Sequence, residues 1–319
     1  MRIVLFLCIS MIFSSVLYAE SAEKVSEEVA LLEPSIFTNP PIEPEKLGPP
    51  PLIVERPHKS SFVAVGLSFL APGLGSIYLG DYAAGVGLLG TYSLGRGLEL
   101  SKYPEFSLPQ NTVFYGIYAA YRDVRIYNNG VGYSYKMPTD SLADLTRAPF
   151  RWKVLKKPEV WGALLGSLYL GGTIAYYAFP KDAIIGCDAS KVSNLASPIR
   201  AFPVGIGEEA FFRGYLQSFL AERTSPEGGM VLSSILFGLA HAKNAGALKP
   251  EHQWRYYAFS IPYISAMGGY FSWLTYKNGS LQESVALHSW YDFTLFSLGA
   301  LATQAAIGGN PNFNFSFVF

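Results

Sequence analysis

The chain is 319 residues long, half of them hydrophobic and only 15% charged, and its mean hydropathy is positive. A soluble domain of this length is less apolar, so the composition points to a multi-spanning membrane protein. Net charge is zero, which gives no reason to expect a nucleic-acid partner, and the two cysteines, Cys8 and Cys187, allow neither a disulfide framework once a leader is removed nor a cysteine-based metal site.

Residues 1–19 have the make-up of a secretory signal, with Arg2 at the start, an apolar run over Ile3–Phe13 and a small residue at Ala19. The run is short for a membrane span, which favours cleavage over an uncleaved anchor. Residues 20–61 are rich in Pro, Glu and Ser; the prolines block helix and sheet, and too few apolar residues remain for a core, so a disordered or extended tail is expected. Residues 62–121 form a glycine-rich hydrophobic region. Within it, 62–80 and 82–97 read as a helical hairpin, broken at Pro72-Gly73 and turned at Gly80-Asp81, in which Gly85, Gly87 and Gly90 allow close helix contact. The run 108–121 is apolar but short for a span.

Residues 122–157 hold eight Lys or Arg against three Asp, the most basic loop in the chain, and such a loop beside an apolar segment belongs on the cytoplasmic face. From 158 to 306 the chain reads as one helical domain. The segment 159–179 is the clearest single span, and further helices are expected at about 200–220, 229–243, 256–276 and 283–306, each carrying the small and polar residues of packed membrane helices. The fold class expected is all-α, a polytopic helical bundle of about six to eight membrane segments. The C-terminal tail, 307–319, alternates so that Phe313, Phe315, Phe317 and Phe319 would share one face of a strand. No other segment alternates this way, so an interfacial tail is expected rather than a barrel.

Ionisable groups inside apolar helices are costly and call for a partner or a function. Three clusters stand out. In Glu208-Glu209-Ala-Phe-Phe-Arg213, Glu209 and Arg213 are four apart with Glu first, the favoured order for a helical pair, while Glu208 is turned away and has no local partner. Phe237 and His241 share a face of the next helix, and His288 and Asp292 share a face of the last, a spacing at which a carboxylate can fix an imidazole tautomer. Singly, each has a packing explanation. Together they make a catalytic inventory that needs one polar intramembrane cavity. His58 and His252 lie in polar segments and look incidental.

The order EEAFFR at 208–213, FGLAH at 237–241 and HSWYD at 288–292 resembles the CPBP family, also called the Abi or type II CAAX endopeptidase family, over about 159–305. The resemblance implies an intramembrane protease in which Glu208 with His241 activates water, His288 with the residue four later stabilises the oxyanion, and Glu209, Arg213 and Phe237 support the site. It implies no cofactor. Well-studied CAAX members carry Asn at the last position, where this chain has Asp292; ionised Asp cannot donate to an oxyanion, which places that role on His288. The implied partners are a membrane-bound peptide or protein substrate and the lipid bilayer, and the implied location is a bacterial inner membrane reached through the leader. Two alternatives stay open: a zinc-dependent metalloprotease, although HExxH is absent and a Glu–Arg pair is a poor ligand, and a non-catalytic membrane scaffold or immunity protein.

Overall fold

Local signals start and stop each helix of the computed structural model, which describes residues 57–100, 107–180, 183 and 196–307. Ser60 caps α1 (Ser61–Leu70) by accepting from the Val63 N–H, and Pro72-Gly73 ends it. The chain continues through α2 (Leu74–Leu79), the left-handed Gly80 and α3 (Tyr82–Leu100), whose first turn is capped by Asp81. Of the three glycines expected to permit close contact here, Gly85 does so, against Ile77 and Gly73. Gly87 and Gly90 do not: a side chain at either would meet open space, because they lie round the helix on its outer side.

The long α4 (Leu108–Tyr127) takes in the first residues of the expected basic loop, and the last part of that loop is helical too. A capping box of Ser141 and Asp144 starts α5 (Leu142–Arg147), followed by a 3₁₀ turn at Ala148–Phe150 and α6 (Trp152–Leu155). The bend between α4 and α5 is tied down by Glu222, which accepts from the Ser134 N–H and Oγ and from the Tyr135 N–H and pairs with Arg125 at 3.0 Å. Burial alone would raise the Glu222 carboxyl, but these donors and the arginine hold it below the usual carboxylate range.

Helix α7 (Pro158–Ala178) coincides with the clearest expected span. After α8 (Ala196–Ile199) come α9 (Ala201–Glu209), a π-helical stretch at Ala210–Leu216 and α10 (Gln217–Ala221), which form one continuous rod. The remaining helices are α11 (Pro226–Ala240), the short α12 (Gln253–Arg255), α13 (Ile261–Asn278, preceded by a π turn at Tyr256–Ser260) and α14 (Gln282–Ile307). The start of α14 is fixed from outside: the Asp140 carboxylate accepts from the Leu281 N–H at 2.8 Å and from Ser280 and Gln282.

All regular structure among the described residues is helical, as the composition and periodicity lead one to expect. Among the described residues no helix is long and apolar enough to cross a membrane; in α7, four glycines and three tyrosines dilute the aliphatic content. The leader at 1–19, nearly all of the tail at 20–61, both cysteines and the alternating phenylalanines at 313–319 lie outside the described residues.

Two glycines two residues apart place α9. Gly205 abuts Ser289 of α14, and Gly207, on the opposite side of the helix, abuts Asn111 of α4, so α9 is held between the two. The contact with α4 continues along the rod, with Gly214 against the Tyr118 ring and Phe211 stacked on Phe114 at 4.7 Å. A Cβ on Gly207 would stand 2.4 Å from Asn111 Oδ1 and 2.7 Å from its Cα. Gly207→Ala is therefore expected to lower stability by about 1–3 kcal/mol in thermal unfolding, through overpacking. Gly162→Ala, where a Cβ meets nothing within 4 Å, serves as the control and should leave stability unchanged or raise it by up to about 1 kcal/mol.

Candidate active site

The rod formed by α9 and the π stretch carries the first charged cluster. A π stretch winds wider than an α-helix and is frequent at functional sites, and this one begins directly after Glu209. Glu209 and Arg213 are both fully buried, and Arg213 Nη1 lies 3.1 Å from Glu209 Oε1. The contact is an ion pair rather than an aligned hydrogen bond, since no guanidinium nitrogen of Arg213 has a hydrogen-bond partner among the described residues. Ring faces hold the cation instead, with Phe237 at 4.1 Å and Phe271 at 5.1 Å from its central carbon.

Glu209 has a second partner that comes from 79 residues away. Its Oε1 accepts from His288 Nδ1 at 2.8 Å. On the far side of the imidazole, His288 Nε2 lies 3.6 Å from Asp292 Oδ2. Arg213, Glu209, His288 and Asp292 thus form one buried chain of alternating basic and acidic groups. The imidazole plane is held by Phe271, stacked on it at 5.3 Å, and by Phe237, edge-on at 5.9 Å.

Glu208 is placed differently. It points toward the end of α11, where its Oε2 lies 3.9 Å from His241 Nε2, and that oxygen is buried with no hydrogen-bond partner among the described residues. His241 Nδ1 bonds to the Phe237 carbonyl at 2.8 Å. A carbonyl only accepts, so Nδ1 carries a hydrogen, and Nε2 is the nitrogen turned toward Glu208. His288, Asp292 and Glu209 are also within electrostatic reach of Glu208.

The residues of the three charged clusters are therefore linked pairwise. Glu208 faces His241, Glu209 joins Arg213 to His288, His288 faces Asp292, and Phe237 touches both histidines and the arginine. Sequence reasoning missed Phe271, on a helix with no charged motif, and the Glu209–His288 bond. It also missed the role of α4 as the wall behind the rod; the seven-residue spacing of Gly207 and Gly214, two helical turns, was the available signal.

Among the described residues no three of His, Cys, Asp and Glu form a group that could hold a metal ion, and Glu209 is already engaged by Arg213 and His288.

Compared with known proteins, residues 193–294 match the profile of a family described as type II CAAX prenyl endopeptidase Rce1-like. Neither a curated protein nor a solved structure matches the chain.

Proposed function

We propose, from the match of residues 193–294 to the type II CAAX prenyl endopeptidase Rce1-like family, that this chain is an intramembrane endopeptidase acting on a membrane-associated peptide or protein. The observation that carries the reading is the approach of Glu208 to His241 at 3.9 Å. Two acceptors facing each other across that gap suit one water molecule that gives a hydrogen to each. Loss of its proton to Glu208 or His241 as its oxygen meets a peptide carbonyl is general-base catalysis, worth roughly 10²–10⁴-fold. His288, carrying a hydrogen on each ring nitrogen between the Glu209 and Asp292 carboxylates, is the donor for the developing oxyanion through Nε2, and Asp292 orients the ring rather than donating. Arg213 and the two phenylalanines keep Glu209 in place.

Membrane embedding is supported by the outer surface. Helix α7 has 21 residues, about 30 Å of helix, close to the hydrocarbon thickness of a bilayer. It exposes Trp161, Leu165, Tyr169, Leu170, Tyr176 and Tyr177, and α11 exposes Val231, Leu232, Ile235, Leu236 and Leu239. A single-chain surface this apolar needs a covering, and lipid is the covering that suits tyrosine and tryptophan near the ends of a span.

The test compares protein termini in cells carrying the wild type and Glu208→Gln. New N-termini from membrane proteins should vanish in the variant; identical sets of termini would favour the scaffold reading. Purified enzyme is expected to keep its activity after chelation, because water activation is assigned to Glu208 and His241. Loss on chelation with recovery on adding zinc would replace this mechanism by the metal-dependent one.

A further inference from the structure

The stretch 147–157, in the most basic part of the chain, is a built surface that the catalytic reading leaves unused. Ala148, Pro149 and Val154 are buried and hold it down. The Pro149 carbonyl accepts from Trp290 Nε1 at 2.7 Å, so the platform is pinned to α14 between His288 and Asp292. From this base two aromatic rings project outward, Phe150 at 62% exposure and Trp152 at 73%. Phe150 is supported beneath by Phe202 and Trp290.

The charges around these rings do not cancel. Three acids lie near the platform, and each already has a cation: Asp144 faces Arg151 at 3.7 Å, Glu159 faces Lys277 at 3.1 Å, and Glu283 pairs with Lys157. Arg147, Lys153 and Lys156 are exposed and form no ion pair among the described residues. Three uncompensated cations beside two outward aromatic rings, on a rigid base at the start of α7, match the chemistry of a bilayer interface: rings at the level of the headgroups and cations on phosphate.

We infer that Arg147, Lys153 and Lys156, with Phe150 and Trp152, form a binding platform for the headgroups of anionic phospholipids. The inference rests on the membrane reading above but not on proteolysis. Juxtamembrane cations each add a factor of roughly fivefold in affinity for an anionic surface, so three together give on the order of a hundredfold.

The full-length chain in neutral detergent is titrated with phosphatidylglycerol and, separately, with phosphatidylcholine of the same acyl chains, and bound lipid is counted by native mass spectrometry. Phosphatidylglycerol should be retained in preference, more weakly as salt rises. The triple variant Arg147→Gln/Lys153→Gln/Lys156→Gln should lose the preference by about a hundredfold while keeping its helix content, since all three side chains are exposed. Equal retention of the two lipids by the wild type, or an undiminished preference in the variant, overturns the platform. Flotation of the wild type with phosphatidylcholine-only vesicles after an alkaline wash reports the membrane reading separately, so the two failures are told apart.

Discussion

Glu208→Gln is expected to yield a folded chain whose cleavage rate is lower by roughly 10²–10⁴-fold, with a melting temperature equal to or above that of the wild type. The two halves of this expectation have one cause. Glu208 Oε2 is buried and lacks a hydrogen-bond partner among the described residues, and its nearest base, His241, stands 3.9 Å off. A carboxylate in that position costs stability, so the isosteric neutral amide relieves the fold while removing the proton acceptor. A purely structural glutamate would behave in the opposite way, losing stability and leaving turnover per folded molecule unchanged. Cleavage assayed in purified protein, alongside thermal unfolding of both forms, separates the cases; a fully active Glu208→Gln enzyme sinks the water-activation scheme.

The adjacent acid should respond differently. Arg213→Met removes the cation facing Glu209 at 3.1 Å in a fully buried site. Breaking such a pair from one side leaves an uncompensated charge and costs about 3–5 kcal/mol. Part of this should return in Glu209→Gln/Arg213→Met, where neither member of the pair is charged, even though the double variant still lacks the carboxylate that holds His288 Nδ1 and should remain impaired in turnover. Stability measured for the single and double variants checks this. If Arg213→Met lies within about 1 kcal/mol of the wild type, or the double variant is no more stable than the single, the pair does not have the buried-charge role given to it here.

These two expectations account for why consecutive glutamates occur in so apolar a helix. Successive residues on a helix point about a third of a turn apart, so neighbouring acids can enter different surroundings. One reaches the end of α11 and has only a histidine opposite. The other is held by an arginine and an imidazole, both flanked by the same two phenylalanine rings.

The parts of this arrangement that are local were legible in the sequence. Helical periodicity alone places Glu209 over Arg213, Phe237 over His241 and His288 over Asp292, and all three pairs are present in the structure. The breaks at Pro72-Gly73 and Gly80 likewise follow from the residues at those positions. The helical order of the expected basic loop was not legible, because it depends on distant groups: Glu222 gathers Ser134 and Tyr135, and Asp140 reaches across to start α14. Nor could spacing tell Gly85, which packs, from Gly87 and Gly90, which do not, since that depends on where a second helix lies.

The sequence by itself determined the helical class, the faces on which charges align and the inventory of reactive groups, because those follow from 3.6 residues per turn and from the cost of charge among apolar neighbours. Only the tertiary structure decided that Glu209 serves His288 and that Phe271 and α4 wall the site. Such contacts join residues dozens of positions apart, and their existence depends on which small residues let which helices approach, a property of the whole packing rather than of any one segment.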